Sequence, residues 1–240
     1  MSPATGAASR RDRLRQQTTR DILQTARDLL IRGGPAGIGL RAIARELGMT
    51  APGLYRYFPS LQELLNALIT ELYGELADSM EQARESAADP VAQLRATGRA
   101  FRLWALEHPA EFALLFGTPP PDYELPMVGE VFAQGERVGR VFATVFLGLW
   151  AVRPFDLRPD DEVDPGLAGQ LRDFARSLLG LPAGAPLPVP VDGVRVALSA
   201  WNRIAGLVSQ EVFGHLTFAL TDVEPMFEAE LDDILRHLGF

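Results

Sequence analysis

The chain has 240 residues, and 47% of them are hydrophobic, which is enough apolar material for one large or two ordinary folded domains. It contains no cysteine, so disulfide and thiolate chemistry are excluded. No apolar run reaches the roughly 18 residues that cross a bilayer, and the arginine-containing N-terminus lacks the apolar segment of a secretory signal. We therefore expect a cytoplasmic protein with no membrane partner.

The net charge of −8 is divided unevenly along the chain. Residues 1–60 carry ten arginines and four acidic residues, a net charge of +6. Residues 61–240 carry thirteen arginines and 27 acidic residues, a net charge of −14. A basic segment on an acidic body is typical of a nucleic-acid-binding protein. Charge alone leaves open the alternative of a basic terminus that is only solvated.

Helical periodicity dominates the first 60 residues. We expect residues 1–17 to form a disordered basic arm, and the first apolar helix face to begin near Thr18. A stop signal at Gly33-Gly34-Pro35 precedes a short second helix, after which Gly48 allows a left-handed turn. Thr50 is the expected N-cap of a third helix that reaches Phe58.

The helical pattern continues to the end of the chain, and we find no alternating strand pattern of useful length. The predicted helices cover residues 61–86, 89–108, 110–117, 126–151, 164–179, 194–217 and 222–238, with a Pro/Gly-rich linker at 181–193. The sequence therefore predicts an all-α protein. A helix-turn-helix domain at 18–60 precedes a helical body at 61–240.

The third helix divides its side chains between two directions. Leu54 and Phe58 lie four residues apart and would anchor the helix on the core, which leaves Tyr55, Arg56 and Tyr57 to point elsewhere. Two short helices joined by a glycine turn form a helix-turn-helix, whose second helix enters the DNA major groove. Any helical corner with glycine can look this way, but the basic arm and the exposed tyrosines favour DNA binding.

The segment GIGLRAIARELGMTAPGLYRYFPSLQELLNAL, residues 37–68, resembles the DNA-binding domain of the tetracycline-repressor (TetR) family of bacterial transcription regulators. The resemblance covers roughly residues 18–70. It implies a homodimer on a double-stranded, near-palindromic DNA operator, with a C-terminal ligand-binding and dimerisation domain. It further implies repression that a small molecule relieves. An activator or a ligand-independent DNA-binding protein of the same fold remains open.

By position, the resemblance implies that one set of residues contacts DNA. Arg41 matches a residue that meets a phosphate or a base edge, and Tyr55 and Tyr57 match positions that contact the backbone. Gly53 and Leu61 depart from the family pattern, because they stand where a hydroxyl or alanine and a phosphate-binding lysine are common. The full predicted set is Arg41, Thr50, Ala51, Pro52, Gly53, Tyr55, Arg56 and Tyr57.

The C-terminal body contains two segments, Arg102–Gly117 and Trp201–Leu216, that resemble the family's C-terminal domain type with Trp, His and Gly signatures. Aromatic residues of the middle helices predict a site for a small, mostly apolar effector. Core packing is the alternative for each of them. The predicted ligand-binding residues are Trp104, Phe112, Phe116, Phe142, Phe146 and Trp150.

The last two predicted helices each carry an apolar seam at helical spacing. The resemblance implies that two such helices from each protomer form a four-helix dimer interface, and ordinary core within one chain is the alternative. The predicted interface residues are Trp201, Val208, Val212, His215, Phe227, Leu231 and Ile234.

Enzymatic chemistry finds little support in the sequence. The three histidines form no metal-binding pair, and we find no nucleophile, phosphate-loop or dinucleotide motif. Glu211 and His215, four residues apart, could form an acid–base pair in a helical enzyme, but a simple hydrogen bond explains them as well. We therefore expect no catalytic site, no metal and no cofactor.

Overall fold

The computed structural model of the protein describes residues 10–118, 120 and 123–240. This part of the chain contains ten α-helices, two short 3-10 helices at Pro35–Gly37 and Asp160–Glu162, and no β-strand. The all-α prediction is confirmed. The helices are α1 (Arg10–Gly33), α2 (Leu40–Glu46), α3 (Ala51–Tyr55), α4 (Leu61–Ser86), α5 (Pro90–Glu107), α6 (Pro109–Phe116), α7 (Glu130–Val152), α8 (Pro165–Leu179), α9 (Val191–Val212) and α10 (Glu224–His237).

The helices belong to two compact units. The first unit holds the described residues up to Leu72 and from Ala110 to Met127, and the second holds Tyr73–Pro109 and Val128–Phe240. None of the described helices is long and apolar enough to span a membrane.

Side-chain caps explain where several helices begin. The hydroxyl of Ser60 accepts a hydrogen bond from the backbone N–H of Glu63 at 3.1 Å, at the start of α4. Asp89 and Asp164 cap α5 and α8 in the same manner. These carboxylates and hydroxyls satisfy N–H groups that have no partner inside a helix. All three positions are readable in the sequence as helix starts.

Several helix boundaries differ from the prediction; α7 begins at Glu130 rather than at 126, and α9 ends at Val212 rather than at 217. α1 begins at Arg10, so residues 10–17 are helical rather than disordered, while residues 1–9 lie outside the described part of the chain. α3 ends at Tyr55 and is followed by a turn, so it is shorter than expected. α9 begins at Val191, inside the predicted linker, where the backbone N–H of Val191 donates to the carboxylate of Asp160 at 3.2 Å.

The core of the first unit is formed by apolar side chains from α1, α2, α3 and α4. Ile22, Ile43, Leu54 and Leu64 are completely buried. The same unit contains α6, whose Glu111 is 2% exposed and pairs with the guanidinium of Arg27 on α1 at 2.9 Å. The guanidinium thus gives a partner to a carboxylate that is almost completely removed from solvent.

The second unit is built around α5, which contacts α7, α9 and α10. The ring of Phe101 on α5 lies 5.0 Å from that of Trp201 on α9, which in turn lies 5.3 Å from Phe142 on α7. At the rim of this core, Arg102 donates two hydrogen bonds to Glu211, at 2.8 and 2.6 Å. Aromatic contacts inside and ion pairs outside thus hold α5 against its neighbours.

The predicted dimer seam is largely core of a single chain. Val208 and Leu231 are completely buried, and Phe227 and Ile234 are at most 2% exposed. The reason is the close approach of α5, because a Cβ added at Gly98 would lie 3.1 Å from a methyl of Leu231. These four side chains therefore pack as core within one chain, the alternative stated from the sequence. Trp201 and Val212 are half-buried and His215 is exposed, so these three remain candidates.

Candidate DNA-binding interface

A glycine turn joins α2 to α3. Gly48 has a φ of +61°, the left-handed conformation that glycine adopts without steric cost, and the next N–H, of Met49, donates to the carbonyl oxygen of Ala44 at 2.8 Å. Thr50 then caps α3 by accepting a hydrogen bond from the N–H of Gly53 at 3.3 Å. The expected turn and the expected cap are both present.

The α3 segment presents two different surfaces. Leu54 is completely buried and Phe58 is 7% exposed, which anchors the segment on the core of the first unit. Tyr55, the immediate neighbour of Leu54, is 46% exposed, and Arg56 beside it is also exposed. Local helix geometry therefore separates the anchors from the side chains that remain accessible.

The other predicted DNA contacts also lie at the surface. Arg41, in the first turn of α2, is exposed, as are Thr50, Ala51 and Pro52 at the start of α3. Gly53 and Tyr57 are half-buried. The structure thus brings all eight predicted residues to the α2–α3 corner, with none enclosed in the core.

A contact with α1 was not predicted from the sequence. The guanidinium of Arg15 lies 5.9 Å from the centroid of the Tyr57 ring, within the range of a cation–π interaction. The helical N-terminal turns of α1 therefore reach the same surface as the segment that follows α3. The charge pattern predicted only that residues 1–17 are basic. The contact also requires that residues 10–17 be helical, which charge does not predict.

Unpaired positive charge is concentrated at this surface. Among the described residues, Arg41, Arg45 and Arg56 have no ion-pair partner. Arg32 pairs with Glu46 at 3.4 Å on an exposed part of the unit. Guanidinium groups without acidic partners can neutralise phosphates, which supplies most of the sequence-independent affinity for DNA.

Gly53 has a structural role that the sequence did not reveal. A Cβ at this position would lie 3.1 Å from the Thr50 hydroxyl oxygen, the atom that caps α3. A side chain there would press on the cap. The glycine therefore leaves room for the cap.

The six predicted ligand-binding residues do not share one unit. Trp104, Phe142 and Phe146 are buried in the second unit, and the Phe142 and Phe146 rings lie 5.3 Å apart. Phe112 and Phe116 belong to α6 of the first unit. Core packing, the alternative reading, thus describes most of the set.

Trp150 lies at a separate place in the second unit. It is half-buried, contacts Phe155 edge-on at 5.0 Å, and lines an open cleft of about 560 Å³. Arg172, Arg176 and the loop 184–191 form the other walls of this cleft. Arg176 donates a hydrogen bond to the carbonyl oxygen of Ala185 at 3.1 Å, and this bond attaches the loop to α8.

Two family descriptions match the chain. Residues 22–68 match "Bacterial regulatory proteins, tetR family", and residues 94–234 match "Tetracyclin repressor-like, C-terminal domain". The chain belongs to the TetR family. The family resemblance of residues 37–68 is confirmed, and the second match extends the assignment over most of the helical body.

Individual relatives agree with this assignment. The TetR-family chain is 34% identical over 224 residues to the HTH-type transcriptional regulator Rv1816 of Mycobacterium tuberculosis, and the match covers 92% of each protein. It is similar to the crystal structure of the putative regulatory protein SCO4313, with 32% identity, a TM-score of 0.74, and coverage of 95% of this chain and 99% of that one.

A more distant structure shares the fold only. RolR, crystallised in complex with resorcinol, is 14% identical, with a TM-score of 0.54 and coverage of 95% of this chain and 90% of that one. Together with the family matches, these relatives identify the chain as a helix-turn-helix transcriptional regulator of the TetR family rather than an enzyme.

Proposed function

We propose that this TetR-family protein is a cytoplasmic, ligand-inducible repressor that binds a near-palindromic operator as a homodimer. The observation that carries the proposal is the contrast between Leu54, which is completely buried, and Tyr55, which is 46% exposed beside Arg56. An exposed tyrosine hydroxyl next to an unpaired guanidinium fits a surface that contacts the phosphates of double-stranded DNA.

On the operator, α3 lies in the major groove, which is about 12 Å wide. The exposed start of α3 faces base edges, and Arg41, Tyr55 and Tyr57 contact the phosphate backbone on either side. Because α1 is helical from Arg10, its exposed N-terminal turns continue this basic surface toward the flanking DNA. Backbone contacts fix the register, and the groove contacts select the sequence.

The homodimer forms through the exposed faces of α9 and α10. Trp201 and Val212 of α9 and His215 of the turn that follows α9 retain accessible surface, unlike the completely buried Val208. On a different side of α9, Gly206 is exposed and has no atom within 4 Å of the place where a Cβ would lie, so another helix can approach closely there. Two-fold symmetry then places the two operator half-sites about 34 Å apart, one helical turn of DNA.

The effector binds in the second unit. We assign the C-terminal domain of the chain to the family's type with Trp, His and Gly signatures. RolR, which shares the fold, binds resorcinol. Buried aromatic side chains of α5 and α7 provide an apolar environment in this chain. The ligand stabilises a conformation that does not fit the operator. The change in population that it can cause is limited by the difference between its affinities for the operator-binding and the non-binding conformation.

Substitution of Tyr55 tests the proposal. We expect Tyr55→Ala to weaken binding to DNA from the gene's own upstream region by roughly tenfold, because one backbone contact is lost, while the dimer and its thermal stability are unchanged. Electrophoretic mobility shift measures binding, and sedimentation measures the dimer. Phe174→Ala removes an aromatic ring that is 44% exposed on α8 and serves as the matched control, with unchanged binding.

Two results would contradict the proposal. Failure of the unmodified protein to bind DNA from its gene's own upstream region at low salt would contradict operator binding by the α2–α3 corner. Dissociation of the dimer by Tyr55→Ala would place the exposed Tyr55 at the contact between protomers instead of at the DNA. Transcription in vitro from a bound operator, which repression lowers and activation raises, distinguishes a repressor from an activator of the same fold.

A further inference from the structure

Two buried polar atoms on α5 have no hydrogen-bond partner among the described residues. They are the hydroxyl oxygen of Thr97, whose residue is completely buried, and the indole nitrogen of Trp104, whose residue is 5% exposed. The two residues are seven positions apart, so their side chains lie on the same face of the helix, about 10 Å from each other along its axis. Both belong to the second unit.

Thr97 differs from the other threonines inside helices of this chain. Thr70 and Thr144 each donate their hydroxyl to the carbonyl oxygen four residues earlier, at 2.8 Å. The same back-bond is made by Thr18, Thr19 and Thr25. This bond is the usual way for a helical threonine to satisfy its hydroxyl. Thr97 is fully buried and does not make this bond, so its hydroxyl has no acceptor on its own helix.

The indole N–H of Trp104 is also unusual, because a buried tryptophan nitrogen normally donates to an acceptor. The Trp104 ring is held in place by stacking on His108, with ring centroids 5.1 Å apart and an angle of 27° between planes. His108 in turn places its Nδ1 atom 3.0 Å from the carbonyl oxygen of Trp104. The indole is thus fixed in position, with its donor unused.

The surroundings of the two atoms are apolar and aromatic. Phe101 lies between Thr97 and Trp104 on α5, and its ring contacts Trp201 at 5.0 Å. Trp201 is half-buried and so connects this aromatic cluster with solvent. The nearest cations on α5, Arg99 and Arg102, are held by Glu228 and Glu211 and are not available to an anion.

We propose that this face of α5 binds the effector, and that the effector is an uncharged, mainly apolar molecule with a carbonyl or ether oxygen that accepts the Trp104 N–H. The Thr97 hydroxyl meets a second polar atom of the same molecule. A buried donor without an acceptor costs free energy in the ligand-free protein, and a ligand that supplies the acceptor recovers it. This inference rests on the proposed function, in which the second unit binds an effector.

A pair of isosteric probes tests the ligand class. The probes are para-butylacetophenone and para-butyl-α-methylstyrene, in which a methylene group replaces the carbonyl oxygen. We expect Trp104→Phe, which keeps an aromatic ring but removes the N–H, to weaken binding of the ketone about tenfold and to leave binding of the hydrocarbon nearly unchanged. Calorimetric titration of the full chain measures both. Equal losses for the two probes, or no binding of the ketone to the unmodified protein, would overturn the proposal.

A second measurement needs no ligand. Thr97→Val removes a hydroxyl that has no partner, whereas Thr70→Val removes one that is hydrogen-bonded, and threonine and valine have similar helix propensities. We expect Thr97→Val to keep or raise the Tm of the ligand-free protein and Thr70→Val to lower it. A fall in Tm for Thr97→Val as large as that for Thr70→Val would show that the hydroxyl has an internal partner, which contradicts the proposal.

Operator binding separates this inference from the proposed function. If the ketone binds to the Trp104 N–H but never releases DNA, the proposal of ligand-inducible repression is wrong, and the proposal that this site binds a ligand with an acceptor oxygen is right. If other compounds release DNA with no preference for an acceptor oxygen, effector control stands and this inference fails. Trp104→Phe and Thr97→Val keep operator affinity in either case, because neither residue lies in the first unit.

Discussion

The α2–α3 corner and the α9–α10 pair are both helix pairs with an apolar stripe, yet the sequence describes them unequally well. At the α2–α3 corner, the buried Leu54 and the exposed Tyr55 were assigned correctly. At the α9–α10 pair, the sequence identified the apolar seam but not the helix that packs against it. That helix is α5 of the same chain, which covers Leu231. Periodicity indicates which face of a helix is buried, but not what buries it.

The corner was readable because its geometry is local. A glycine with positive φ, a capping threonine and two anchors four residues apart all act within about twelve residues of each other. The stripe on α10 depends on contacts with a helix more than one hundred residues earlier in the chain. A sequence pattern is therefore most informative where the contacts that it predicts join residues close together in the chain.

The largest expected effect tests the assignment of the apolar α10 residues to the core. Leu231→Ala should lower the free energy of unfolding by about 2–5 kcal/mol, because it leaves a cavity against Gly98. Urea denaturation at a fixed protein concentration measures this change. Leu167→Ala, at a leucine that is 40% exposed on α8, is the matched control and should change it by less than about 0.5 kcal/mol. A dimer that dissociates while each protomer keeps its stability would restore the interface assignment.

An intermediate effect sharpens the role of α1 at the corner. Replacing Arg10, Arg11 and Arg13 by Gln should reduce the slope of log affinity against log salt concentration by about 2.7, if each guanidinium neutralises one phosphate. Fluorescence anisotropy with a labelled operator, measured between low and moderate salt, gives the slope. The matched control replaces Arg140, Arg158 and Arg172 of the second unit and should leave the slope unchanged. A slope unaffected by the first set would show that α1 does not reach DNA.

The smallest effect examines the cap at the corner. Thr50→Ala should cost about 1 kcal/mol, because the Gly53 N–H loses its acceptor. Gly53→Ala combines a helix-propensity gain of about 1 kcal/mol with pressure on the Thr50 hydroxyl. We therefore expect Gly53→Ala to be more favourable when residue 50 is alanine. Thermal unfolding of the four proteins in this double-mutant cycle measures the coupling, and strictly additive effects would exclude it.

Several site predictions could be made from the sequence because they depend on exposure alone. Tyr55 and Arg56 had to be accessible once Leu54 and Phe58 were assigned to the core. The contact of Arg15 with Tyr57 could not be predicted, since it requires that α1 begin before the apolar pattern does. The cap role of Gly53 was hidden for a similar reason, because it depends on a distance between two atoms.

The aromatic residues of the body show the same limit more strongly. Trp104 and Phe112 look alike in a list of apolar positions, yet they belong to different units, and only Trp104 has a buried donor without a partner. Composition and spacing indicate how many aromatic side chains must be buried. They do not indicate which of them share a cavity or a cluster.

By itself, the sequence determined the helical class, the helix starts marked by Ser60, Asp89 and Asp164, and the corner that presents Tyr55, because capping, turn formation and helix periodicity are local interactions. The tertiary structure decided that α5 fills the stripe of α10, that α1 reaches Tyr57, and that Thr97 and Trp104 keep unused polar atoms. Each of these depends on the packing of segments far apart in the chain. Close packing selects one partner from many apolar faces of similar character, and only its three-dimensional result identifies that partner.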